Sequence, residues 1–206
     1  MTAQESIPLN GRLPWFAPDD LRPDQRDLYD LIISGPRASA TAVSPLLNEH
    51  GRLEGPFNFM LLSPALGTAL QSVGDAIRYR SELTDREREL AILIVAANAR
   101  NDFEWIAHVQ IARAKGLSEA DLHAIAERLA PEEISATERV VFDTVTRLVL
   151  ARDLDATEWD RLVGAVGLVK AVELVILIGY YQTLALALGV FRVVVPGGGT
   201  GPWVGG

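Results

Sequence analysis

Cysteine is absent from all 206 residues. That removes disulfides, thiolate-based zinc sites and cysteine nucleophiles together, while saying little about compartment. Basic residues are also scarce: 19 Lys and Arg stand against 27 Asp and Glu, a net charge of -8. They form no cluster of the kind that phosphate neutralisation needs, so generic nucleic-acid binding is not expected. An anionic small ligand can still meet a local arginine. No stretch alternates apolar and polar residues as a half-buried strand would. No basic segment followed by an apolar one opens the chain, so no secretory leader is expected and the cytoplasm is the default location. The glycine-rich end, RVVVPGGGTGPWVGG, lacks the Gly-Lys-Ser/Thr ending of a phosphate loop and reads as a flexible tail or an arm laid on another subunit. The longest apolar stretch, 168–191, is cut by Lys170, Glu173, Gln182 and Thr183. Its uninterrupted runs fall below the ~18 residues that mark a membrane span. A central or intersubunit helix is expected there, with Glu173 in a buried pair with an arginine and Tyr180 and Tyr181 as packing groups.

What the chain has is concentrated between Thr84 and Ser118. Thr84 with Glu87 three residues on is a capping box, so a helix begins near Asp85. Every residue from Leu90 to Ala97 is apolar. A helix greasy on all sides must be covered by other helices, and Glu89 is carried at the edge of that buried run. Polar residues from Asn98 to Asp102 make a bend. Asn101 caps a second helix that Gly116 ends. Within it Glu104 and His108 are four residues apart, on one helical face and within reach of each other. A carboxylate that fixes an imidazole tautomer suits proton transfer. Two readings stay open at this point: an acid–base pair, or a helix cap beside a histidine packed under Trp105.

The remaining elements follow from punctuation and period. The proline-rich segment 1–23 reads as an extended arm pinned by Leu13, Trp15 and Phe16. A helix over 24–34 places Leu28, Leu31 and Ile32 at helical spacing and stops at Gly35-Pro36. Glu49-His50-Gly51 reads as a surface turn, and Gly55-Pro56-Phe57-Asn58 as another. Pro64 starts a helix to about Arg80, with Leu66, Leu70, Val73 and Ile77 as its stripe. Arg78 and Arg80 complement that helix's dipole or face a carboxylated ligand. Ser118 with Asp121 opens a short helix holding Leu122, Ile125 and Leu129, in which His123 is solvated. Ser135 with Glu138 opens another to about Ala151, and a last short helix runs over 157–166 before the apolar stretch. The expectation is an all-α bundle of about eight helices around a central buried hairpin.

The stretch REREL at 86–90, the apolar helix after it, EWIAH at 104–108 and GLS at 116–118 resemble the core motif of the carboxymuconolactone decarboxylase family, which includes the alkylhydroperoxidase D-like proteins. GPFNFMLLSP at 55–64 resembles cysteine-free relatives with a longer N-terminal part. The resemblance implies three parts: an N-terminal arm and helix over 1–54, the family domain over 55–195, and a tail over 196–206. In thiol-dependent members the second helix begins Cys-x-x-Cys-x-x-x-His. That histidine falls on His108, the glutamate of the preceding helix on Glu89, and the two cysteines on Asn101 and Glu104. A dithiol peroxidase cycle is therefore excluded for this chain acting alone. The resemblance implies a homo-oligomer, commonly a trimer or hexamer, with a dimer also open.

The expected activity is that of a cofactor-independent lyase or isomerase acting on a small carboxylated lactone or enolisable acid. His108 would relay the proton, Glu104 orient it or act as partner base, and Glu89 tune the pair. Arg78 or Arg80 would hold the substrate carboxylate, Asn101 would donate to an enolate oxygen, and Trp105 would line the site. The alternatives are a non-catalytic binding or scaffolding protein, a peroxidase using an external thiol, and a metal site on Glu89, Glu104 and His108.

Overall fold

A computed structural model describes residues 7–35 and 45–203. Pro36 and the small-residue loop after it, like the two termini, lie outside the described residues. Nine α-helices occur among the described residues: α1 Pro23–Ser34, α2 Pro56–Leu62, α3 Pro64–Tyr79, α4 Asp85–Ala99, α5 Asp102–Ala114, α6 Glu119–Ala126, α7 Ala136–Ala151, α8 Ala156–Val166 and α9 Leu168–Phe191. Among the described residues, regular strand is limited to Leu9–Asn10 paired antiparallel with Leu13–Pro14 inside the N-terminal arm. The fold is all-α.

Side-chain caps set most helix starts. Thr84, Asn101, Ser118, Ser135 and Asp155 each accept from the backbone amide three residues on, satisfying a donor the helix itself cannot. The first four of these caps are the ones expected from sequence. α4 occupies the centre and packs against α5, α6, α7 and α9. Every one of its residues from Glu87 to Ala97 is buried, as the unbroken apolar run requires. α9 lies along it and buries one face only.

The structure corrects four expectations. Pro56–Leu62 is a helix, where a turn was expected. Pro56 stands in its first turn, and Gly55 enters with φ +58, where a Cβ would lie 2.2 Å from the Phe103 ring. Only glycine fits that approach. α3 buries Gly67, Gln71, Gly74 and Ile77, leaving Leu66 and Val73 exposed. The helix comes so close to α2 that a Cβ at Gly67 would sit 2.4 Å from the Met60 carbonyl oxygen, so the small residues decide which face goes inward. Leu129 lies beyond the end of α6 and is exposed. Glu173 pairs with no arginine among the described residues; its carboxylate accepts from the Ser81 hydroxyl at 3.0 Å and the Glu82 amide at 2.8 Å.

The described parts of the N-terminal arm and the C-terminal segment lie on the bundle. Trp15 Nε1 donates to the Leu53 carbonyl at 2.8 Å, and the Arg12 amide to that of Phe191 at 2.8 Å. Asp102 Oδ1 accepts from the Gly201 amide at 2.8 Å and from Trp203 Nε1 at 2.7 Å. Trp203 thereby packs edge-on against Trp105, with ring centroids 5.3 Å apart.

Candidate active site

The bend between α4 and α5 turns the chain back so that position 89 of one helix faces position 108 of the next. His108 Nδ1 lies 2.8 Å from Glu89 Oε2, and Nε2 lies 3.7 Å from Glu104 Oε2. The imidazole is thus held between two carboxylates, one from each helix. The three side chains are only 8%, 1% and 5% exposed for His108, Glu89 and Glu104. An ion pair so deep survives only if its members satisfy one another.

Burial alone would push the Glu89 carboxyl up. The charge and hydrogen bond of His108, with the Arg88 and Arg78 guanidiniums, outweigh it and hold the group below the usual carboxylate range. With Glu89 accepting from Nδ1–H, Nε2 is the ring atom left to take or give a proton. Glu89 lies at Nδ1 of the ring, and Glu104 faces Nε2.

Other expected residues divide between this cluster and the supports around it. Arg78 is half-buried and close enough to act on Glu89, whereas Arg80 is exposed at the end of α3. Asn101 is engaged structurally: its oxygen caps α5 by accepting from the Glu104 amide at 2.9 Å, and its Nδ2 donates to the Ala185 carbonyl of α9 at 3.1 Å. It braces the hairpin against α9. Trp105 is buried against the C-terminal segment through Trp203, and the ring stacked edge-on to His108 is instead that of Tyr181, 5.3 Å away. Glu49 and His50 form an exposed surface pair, as expected.

Arg88 was missed from the sequence. It is buried, bonds Asp85 through Nη2, and sets Nε 3.5 Å from Glu89 Oε1 with no hydrogen-bond partner of its own. The available signal was its place one residue before Glu89 at the start of a helix buried on every side. Lys170 is also a support, donating to Glu87 at 2.9 Å and so tying α9 to the first turn of α4. Among the described residues, no group of three or more His, Asp or Glu side chains is arranged to hold a metal ion. The expected metal alternative on Glu89, Glu104 and His108 therefore lacks a built site.

The site is thus a buried Glu–His–Glu cluster on the central hairpin of a helical bundle. Residues 64–146 match the carboxymuconolactone decarboxylase family model. No curated protein matches it significantly. Among solved structures it is similar to the alkylhydroperoxidase AhpD core of an uncharacterized peroxidase-related protein from Ralstonia eutropha JMP134, with TM-score 0.68, 16% identity, and coverage of 89% of this chain and 90% of that one. A protein of unknown function from Agrobacterium tumefaciens, suggested to serve antioxidant defence, gives TM-score 0.58 and 22% identity over 69% of this chain and 99% of its own. At such identities the likeness is one of fold.

Proposed function

We propose that the protein is a cofactor-independent lyase or isomerase that transfers a proton at carbon on a small carboxylated lactone or related enolisable acid. The observation that carries this reading is His108 fixed at Nδ1 by the ionised Glu89 while Nε2 faces a second buried carboxylate. Loss of carbon dioxide from the substrate, or removal of a proton beside its carbonyl, leaves an electron pair delocalised as an enolate. The imidazolium then delivers its Nε2 proton to carbon, and Glu89 stabilises the charge that the ring carries before transfer. Arg88 and Arg78 supply the positive charge that favours an anionic substrate. The burial that excludes water also requires part of the cover to move as substrate enters.

Peroxide reduction, suggested by the names of the structural neighbours, ranks below this reading. The two positions at which thiol-dependent relatives carry cysteine hold Asn101 and Glu104, so both electrons would have to come from an external thiol.

The test is a screen of carboxylated lactones and enolisable acids, following carbon dioxide release and deuterium incorporation from solvent, in the parent chain and in His108→Gln. Turnover should fall roughly 100-fold or more with the fold and ligand binding retained. Glu104→Gln should lose less. Undiminished turnover in folded His108→Gln would make the cluster a structural brace.

A further inference from the structure

The ends of α4 and α6 meet the C-terminal segment at a cavity of about 190 Å³, lined by Ala97, Arg100, Ala126, Glu127, Arg128 and Trp203. Both arginines stand in the left-handed region, Arg100 with φ +48 and Arg128 with φ +61. A residue with a β-carbon adopts that conformation at a cost, and glycine or asparagine closes a helix there more easily. Arginine does complement a helix C-terminus, but the carbonyls at these two ends are already taken. The amides of Arg100 and Asn101 close α4 on Ala97 and Ala96, and those of Arg128 and Leu129 close α6 on Ile125 and Ala124. The Arg128 guanidinium gives one donor to the Ala97 carbonyl at 3.5 Å, and that of Arg100 has no hydrogen bond or ion pair among the described residues. Glu127, the one acid on the wall, lies 3.4 Å from His123 Nε2. Positive charge therefore outweighs negative two to one, in a chain whose net charge is -8.

The rest of the lining is apolar. Ala97 is buried and Ala126 half-buried, and the Trp203 ring is fixed by its Nε1 bond to Asp102 at 2.7 Å and by its contact with Trp105. A Cβ at Gly201 would stand 2.4 Å from that ring, so its place is built into the segment. With its only donor spent on Asp102, Trp203 lends the cavity an aromatic surface. We propose that the cavity binds a small aromatic carboxylate, its two oxygens taken by the Arg100 and Arg128 guanidiniums and its ring laid against Trp203. Guanidinium forks match a carboxylate, and neither helix end needs these two. The volume suits a compact acid, since drug-sized ligands fill roughly 300 Å³ or more. A bare phosphate would use the arginines and leave the apolar walls without a role. The site stands apart from the acid–base chemistry proposed above, because none of Glu89, Glu104 and His108 lines it.

Calorimetric titration of the full chain with benzoate should show a saturable site with Kd near or below about 1 mM. Arg100→Gln and Arg128→Gln should each weaken it about tenfold, the scale of one lost charge-assisted hydrogen bond, while keeping the circular dichroism of the parent. Trp203→Leu should weaken it several-fold. Benzamide, which has the same shape without the charge, should bind at least about tenfold more weakly. Because the Arg128 side chain also reaches the end of α4, Arg100→Gln decides if the Arg128 variant does not fold. No saturation up to about 10 mM benzoate would overturn the proposal. So would undiminished affinity in folded Arg100→Gln, and a loss confined to Arg78→Gln would seat benzoate at the acid–base cluster instead. Inorganic phosphate binding as tightly as benzoate would leave the Trp203 ring without a use and overturn the assignment to an aromatic acid.

Discussion

α4 and α9 carry the longest apolar runs of the bundle and lie against each other, yet they are greasy for different reasons. α4 is buried around its whole circumference from Glu87 to Ala97. α9 buries nine of its 24 residues, with Leu174, Leu177 and Tyr181 among those facing inward, and presents valine, isoleucine and leucine to the outside. Composition tells how much cover a helix needs and is silent on what supplies it. For α4 the cover comes from the chain itself. α9 has an inner face that supports the polar cluster and an outer face that is left exposed among the described residues.

The comparison can be broken most forcefully at its polar edge. Glu89→Leu leaves His108 and Arg88 buried beside an apolar side chain, and it should cost about 3–5 kcal/mol, the scale for breaking a buried pair from one side. Chemical denaturation of the variant beside the parent measures it. A loss below about 1 kcal/mol would mean that the cluster does not brace the hairpin.

Substitutions along the two helices sharpen the contrast. Leu93→Ala in α4 and Leu174→Ala on the inner face of α9 both empty fully buried volume and should each cost about 2–5 kcal/mol. Ile176→Ala, one turn-half away on the outer face, should change the stability of the isolated protomer by no more than about 0.5 kcal/mol. Equal losses at 174 and 176 in a chain kept monomeric would erase the distinction between the faces.

Acid should discriminate as well. Because the Glu89 carboxyl is held below its ordinary value, its contribution to stability is complete above that value and disappears as pH falls through the depressed one. Thermal unfolding of Glu89→Gln should therefore depend less on pH in the acid range than that of the parent. A small effect belongs to Asp85, whose partners Lys115 and Arg88 draw its pKa to about 2. Its side chain is 47% exposed, so solvent screens the pair. Asp85→Asn should cost about 0.2–1 kcal/mol, measurable at neutral pH and gone below the native pKa.

Much of this was legible before any coordinates. Thr84, Asn101, Ser118 and Ser135 announced their helices because capping is local chemistry, written within four residues. The meeting of Glu104 with His108 was equally local, and that of Glu89 with His108 was implied by resemblance. What escaped notice was set by tertiary approach. The inward face of α3 depends on Gly67 fitting against Met60, and a count of apolar residues points to the opposite side. Arg88 looked like one more charge in a capping segment until α4 proved buried there too. Glu173 needed a partner, and the one it found was a hydroxyl and an amide on a loop 91 and 92 residues away, invisible to any rule about charge.

The dependence of α4 on α9 also has a meaning in time. A growing chain makes the helix that is buried all round before residue 100 and the cover for one side of it only after residue 168. Until then the hairpin that carries His108 must exist with an open flank, a state prone to wrong association. Contacts so distant in sequence are slow to form. Synthesis halted before α9 should accordingly yield a chain that aggregates. The acid–base cluster would then be among the last features of the molecule to assemble, although the residues that compose it are all made before position 109.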